Sequence, residues 1–149
     1  MAKEINFWDE ARLYFGRSNC LKRRYAAVIV NQDGLAVGVG VNKAVAVRID
    51  SGIASPGLAV GAGVNKAAEP CKTCAREGVE SNTGDYATCS SVHAEQFAML
   101  QAGKLQLYGA TLYLVCDKDT DPTPCPICQR MLDVCGVTLK REPPKKGTL

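Results

Sequence analysis

Residues 25–41 read YAAVIVNQDGLAVGVGV. Tyr25-Ala26-Ala27-Val28-Ile29-Val30 is a short apolar run rich in β-branched residues, stopped by Asn31-Gln32-Asp33-Gly34, which is the chemistry of a strand ending in a turn. Beyond the turn, Leu35, Val37, Val39 and Val41 alternate with small residues. A second strand is therefore expected to return antiparallel to the first, with one half-covered face.

The same stretch occurs again downstream. Leu35 to Ala44 reads LAVGVGVNKA and Leu58 to Ala67 reads LAVGAGVNKA, differing only at Val39 against Ala62. Convergence at a Gly/Ala/Val strand is one explanation, but the shared Asn-Lys-Ala ending favours a local duplication. Two copies are too few for a solenoid. The segment 35–67 therefore reads as an insertion or duplication, and either copy can occupy the second strand.

Further out, Asn6 can cap a first helix in which Asp9 takes the third position and Phe7, Ala11, Tyr14 and Phe15 recur near helical spacing up to about Gly16. Residues 68–91 are polar and rich in Cys, Gly and Asn, the composition of a long loop tied down by something other than a core. His93 to Leu100 is helix-forming and closed by Gly103, and Ala110 to Cys116 is a buried strand. After the Asp/Thr/Pro-rich loop 117–124, a helix from about Pro126 to Cys135 ends at Gly136, and Val137-Thr138-Leu139 is a last short strand. Strands alternating with helices predict an α/β sandwich with a mixed sheet.

The chain has 149 residues, the size of one domain, with 46% hydrophobic and 22% charged residues. No apolar run approaches the roughly 20 residues of a membrane span, and the N-terminal residues lack an apolar export signal. A cytoplasmic protein is expected, so eight cysteines point to metal or catalysis rather than to disulfides. The formal charge of +3 is carried by the last ten residues, a basic Pro/Lys tail (140–149) with four basic side chains and one acidic, which leaves the rest of the chain neutral. A nucleic-acid partner is not expected on these grounds, because such partners are held by a basic face on the fold.

A lone His is usually structural, and a lone Cys-x-x-Cys matches many redox and structural sites. Here His93-Ala94-Glu95 and Pro124-Cys125-Pro126-Ile127-Cys128 occur together, which is the zinc-deaminase signature. Cys125 and Cys128 lie three apart at a helix start, on one face, where the helix N-terminus favours thiolate charge. His93, at the start of the other helix, supplies a third ligand. Three protein ligands leave one tetrahedral position open, the mark of a catalytic zinc. Glu95 need not be a ligand and can serve as general base and acid. A thioredoxin-like motif would stand after an N-terminal strand, and a structural zinc module would leave Glu95 without a task.

With Arg17-Ser18-Asn19-Cys20 before the first strand, and Cys74-Ala75-Arg76-Glu77 leading to Gly84, Tyr86, Cys89 and His93-Ala94-Glu95-Gln96, the chain resembles the cytidine and deoxycytidylate deaminase superfamily. The resemblance spans about residues 12–137 and is strongest to the deoxycytidylate (dCMP) deaminase group. It implies a three-layer α/β/α sandwich, a homo-oligomer, and hydrolysis of an exocyclic amine on a small-molecule pyrimidine. It also implies a second, structural zinc at Cys20, Cys71, Cys74 and Cys89, the alternative being that these are small hydrophobes. Substrate contacts are implied at Ala94 and at an Asn closing the second strand, for which Asn42 and Asn65 both fit. Two departures bear on the nucleotide monophosphate: Gly40-Val41-Asn42-Lys43 stands where the family has Gly-Tyr-Asn-Gly, and the tail replaces a segment that often carries a Tyr near the substrate. The expected reaction is deamination of a cytosine-type ring, dCMP to dUMP first. Another aminated heterocycle is the alternative within the class, and a non-catalytic zinc-binding domain the alternative outside it.

Overall fold

The structure is a computed structural model that describes residues 5–20, 23–44, 78, 91–117 and 122–143. Its centre is a four-stranded sheet in the order β2-β1-β5-β6, with β1 Tyr25–Val30, β2 Ala36–Val41, β5 Thr111–Cys116 and β6 Thr138–Arg141. β1 runs antiparallel to both β2 and β5, and β5 runs parallel to β6. The parallel pair is joined through a helix, α4 Pro126–Cys135, as such pairs must be. A separate two-stranded ladder pairs β3 Lys43–Ala44 with β4 Ser91–Val92.

Helices cover both faces of the sheet. On one face, α1 Phe7–Arg12 packs Ala11 and the rings of Phe7 and Trp8 over Ala26, Val28, Val39 and Val115. On the other, α2 Ala94–Ala102, the single turn α3 Lys104–Leu107 and α4 enclose Ala27, Ile29, Leu112, Leu114 and Leu132. This is the three-layer α/β/α arrangement with a mixed sheet. It explains why β1 and β5 read as nearly continuous apolar runs: a strand buried on both faces has no polar side.

The hairpin at the start of the sheet forms where the sequence predicts it. Asn31 Oδ1 accepts from the N–H groups of Asp33 and Leu35, both at 3.0 Å, and Gly34 takes the left-handed conformation with φ 81°. The second strand, however, is buried along five of its six residues rather than half-covered. Nor do its valines share a face. Ala36 pairs with Val30 and Gly38 with Ile29, so Val37 is an extra residue and turns toward the α2 layer while Val39 and Val41 face α1. The small residues between the valines are contact points: a β-carbon on Gly38 would lie 2.2 Å from the Ala98 carbonyl oxygen. Helix α2 answers with Ala94, Ala98 and Ala102, so helix and sheet meet with almost no side chain between them.

Asn6 caps α1, its side chain accepting from Trp8 N–H at 3.0 Å and Asp9 N–H at 3.3 Å. The helix stops at Arg12, short of Gly16, and Phe15–Arg17 forms a 3₁₀ turn. At the other end the last strand starts one residue later than expected and runs through Arg141, two residues into the basic segment read as tail. Lys140 is held there because its carbonyl accepts from Trp8 Nε1 at 3.1 Å and its ammonium stands 5.7 Å from the Tyr113 ring. Glu142, the residue after the strand, pairs with Arg12. The second copy of the repeat, residues 58–67, and nearly all of the Cys-rich loop lie outside the described residues. No helix among the described residues is long and apolar enough to cross a membrane.

Candidate metal centre

Two helix starts meet at one end of the sheet. β4 delivers His93 as the N-cap of α2, where its N–H donates to Gln96 Oε1 at 2.9 Å, the reciprocal bond of a capping box. Cys125 is the N-cap of α4, with Pro126 in the first turn to preset the helical backbone. Its Sγ accepts from Cys128 N–H at 3.5 Å, so the helix N-terminus is directed at sulfur.

His93 Nδ1 lies 3.5 Å from Cys125 Sγ and 3.3 Å from Cys128 Sγ, and the three donor atoms fall within 4.8 Å of one another. Zinc–sulfur bonds of about 2.3 Å and zinc–nitrogen bonds of about 2.0 Å at a tetrahedral angle put S and N about 3.5 Å apart. The donor set fits zinc in both chemistry and spacing. Among the described residues this is the one group of three or more such donors.

Charge in the pocket is arranged around these sulfurs. Hydrogen bonding from Cys128 draws the Cys125 thiol down to about 4, with His93 and the Cys128 N–H adding to this against the cost of burial. Cys128 moves up, because donating to Cys125 and being buried both oppose its ionisation. Glu95 stands in the first turn of α2 and is 4% exposed. Burial pushes its carboxyl above the usual range, offset in part by a hydrogen bond to its own backbone N–H, by His93 and by Cys128.

Ala94, fully buried, opens α2, where first-turn N–H groups have no intrahelical acceptor. Asn42 closes β2 and is nearly buried. Its Oδ1 accepts from Ser18 Oγ and from the Tyr25 N–H, each at 2.8 Å, and its Nδ2 donates to the Arg23 carbonyl at 2.6 Å. The side chain thus fastens segment 18–25 to the end of β2, one residue before the ladder in which Lys43 pairs with Val92, the residue preceding His93. Asn65, Cys71, Cys74 and Cys89 lie outside the described residues, and Cys20 is described as a half-buried free thiol.

Three residues at this end have partners that the sequence did not indicate, Ser18 having entered only as part of Arg17-Ser18-Asn19-Cys20. Ser18 holds the Asn42 carbonyl at 2.6 Å as well as its amide. Arg23 Nη1 donates to the Tyr25 hydroxyl at 3.4 Å, and burial of Tyr25 raises its phenol to about 12 against the lowering effect of Arg23. The spacing of Arg23 and Tyr25, on one side of an extended segment, was the available signal.

The sequence pattern of the cytidine and deoxycytidylate deaminase zinc-binding region matches residues 1–139. The chain is 29% identical over 141 residues to the deoxycytidylate deaminase of Mycobacterium phage D29, across 87% of this chain and 89% of that protein. The crystal structure of dCMP deaminase from the cyanophage S-TIM5 in apo form superposes with a TM-score of 0.48 at 22% identity, covering 88% of this chain and 74% of that one. With the family pattern spanning nearly the whole chain and the metal-ligand set of that pattern assembled at two helix starts, this protein belongs to the cytidine and deoxycytidylate deaminase zinc-binding family.

Proposed function

We propose that the chain is a cytoplasmic enzyme that hydrolytically deaminates a cytosine-type pyrimidine, with dCMP to dUMP plus ammonia as the first assignment. The observation that carries this reading is the convergence of His93 Nδ1 and the Cys125 and Cys128 sulfurs beside a buried carboxyl, Glu95. His93, Cys125 and Cys128 would hold one zinc ion, which when bound supplies the Lewis acidity that makes water nucleophilic near neutral pH.

The rest is done by the chain's own groups. The Glu95 carboxylate accepts a proton from water as oxygen attacks the aminated ring carbon. It delivers that proton to the adjacent ring nitrogen, takes the second proton of the water, and gives it to the departing amine. The carbon–nitrogen bond breaks, a carbonyl remains, and ammonia leaves. A pKa raised by burial suits a group that must both accept and donate near neutral pH. The Ala94 N–H, at the start of α2, is the donor we assign to a substrate oxygen. Of the two candidate asparagines, Asn42 is assigned to the substrate through the Nδ2 hydrogen not given to Arg23, because it closes β2 beside the ladder that leads to His93. Cys20 with Cys71, Cys74 and Cys89 is proposed to hold a second, structural zinc, so native protein should contain two zincs per chain.

Ammonia release from a panel of cytosine, cytidine, dCMP, adenine and guanine compounds tests the reading. Turnover of dCMP above the other compounds is expected. Turnover only of a purine or a free base would replace the substrate, and none at all with zinc bound would remove the enzymatic assignment.

A further inference from the structure

The chain segment that enters β1 is pinned at its start by a hydroxyl to which the reaction gives no task. Ser18 follows the 3₁₀ turn Phe15–Arg17, whose Phe15 packs in the α1 layer, and it is 5% exposed. Its Oγ lies 2.6 Å from the Asn42 carbonyl oxygen and 2.8 Å from Asn42 Oδ1, and it accepts from the Cys20 N–H at 3.3 Å. A hydroxyl carries one hydrogen, so the two Asn42 oxygens share it. Contact with the main-chain oxygen and the side-chain oxygen of the same residue fixes the torsions between them, which a bond to either alone would not do.

The remaining partners decide which way the amide faces. Oδ1 also accepts from the Tyr25 N–H, and Nδ2 donates to the Arg23 carbonyl. Turning the amide over would set Nδ2 against the Tyr25 donor and Oδ1 against the Arg23 acceptor. Oδ1 is therefore committed to the protein, one Nδ2 hydrogen is committed to Arg23, and the second has a set direction. Tyr25 and Arg23 contribute main-chain groups, which no substitution removes. Ser18 contributes the one side chain, and it comes from a separate segment of the chain.

We infer that Ser18 is a positioning residue: its hydroxyl holds the Asn42 amide in the orientation that presents Nδ2 to the substrate. The inference rests on the substrate role given to Asn42 above. Because Asn42 is 6% exposed, solvent is poorly placed to replace the bond when the hydroxyl is removed.

The test compares native, zinc-loaded protein with Ser18→Ala, circular dichroism confirming that the variant is folded. By NMR, the Asn42 side-chain amide hydrogens, identified by their loss in Asn42→Ala, should exchange with water roughly tenfold faster in Ser18→Ala. On the best compound of the ammonia-release panel, kcat/KM should fall roughly tenfold on the same grounds. Added to Asn42→Ala, the same substitution should change kcat/KM by less than about twofold, because the hydroxyl then has no side chain to position. Zinc content should stay full throughout. Unchanged amide exchange, an equal fall of kcat/KM in both backgrounds, or a fall that tracks lost zinc would overturn the inference. Native protein that turns over no compound of the panel would remove the assigned reaction instead, and the exchange rates would still decide whether Ser18 fixes the amide.

Discussion

Gly40 lies directly under the first turn of α2: a β-carbon on it would stand 2.1 Å from the Ala94 carbonyl oxygen and 2.5 Å from the Ala98 nitrogen. Because those atoms are backbone, no side-chain movement can relieve the clash. Gly40→Ala should therefore cost about 1–3 kcal/mol or more, as overpacking does, and push away the turn that bears His93 and Glu95. Gly38→Ala should destabilise similarly, yet its contact is with Ala98 and Ala102, further from the site. Urea unfolding alongside zinc content checks the pair: comparable stability losses are expected, with the larger loss of zinc in Gly40→Ala. Equal zinc in both would show that the close approach does not position the ligands.

Glu95→Gln preserves the shape of the buried side chain and removes its basic oxygen. The variant should fold, retain zinc and lose activity by about a hundred- to ten-thousand-fold. A rate within about tenfold of native, against that range, would place the proton carrier elsewhere.

Cys125→Ala removes a metal donor and the sulfur that accepts the Cys128 N–H. Elemental analysis should find one zinc fewer per chain, with no turnover, because two donors do not retain the ion against dilution. Full zinc content would exclude Cys125 as a ligand.

Asn42→Ala leaves the Tyr25 N–H and the Arg23 carbonyl without their partner. A buried polar group left unsatisfied costs about 1–3 kcal/mol, so the unfolding midpoint should drop clearly. Asn42→Asp keeps the acceptor for Tyr25 and Ser18 but sets a buried carboxylate oxygen against the Arg23 carbonyl, so near neutral pH it should lose at least as much as Ala. A clearly smaller loss in Asp than in Ala would mean that the bond to the Arg23 carbonyl contributes little.

Tyr25 sets an alkaline limit. Its phenol is raised from 10.0 to about 12 in the folded chain, burial being the main cause. The unfolded chain therefore releases this proton first, and the stability it contributes is full below pH 10 and is lost as pH rises toward 12. Unfolding free energy measured at pH 9 and pH 11 should fall more for native protein than for Tyr25→Phe. An equal fall would mean that Tyr25 ionises normally.

What could be read from the sequence was local. The caps at Asn6 and Gly136, the hairpin turn at Asn31 and the Cys-x-x-Cys at the start of α4 are written within a few consecutive residues, and each forms as expected. The triad itself was legible because helix starts bring His93 and the two cysteines into predictable positions. Features that depend on remote partners were not. Nothing near Val37 indicates that β1 skips it, and nothing near Ser18 indicates that Asn42 receives its hydroxyl from 24 residues away. The β3–β4 ladder has two residues per strand, too few for any alternation to show.

The bonds from α1 to the end of β6 bear on how the chain is made. Trp8 takes its carbonyl partner 132 residues later, and Arg12 its carboxylate 130 residues later. During synthesis the first helix emerges long before either partner exists, and its apolar side, with Phe7 and Trp8, has only β1 and β2 to rest on until β5 and β6 follow. Closing that outer layer is a late event with a large loop-closure cost, the kind of long-range contact that slows folding. A ribosome-stalled chain lacking residues beyond about 137 should therefore leave Trp8 more accessible to quenchers than the released protein, which covers the ring in part.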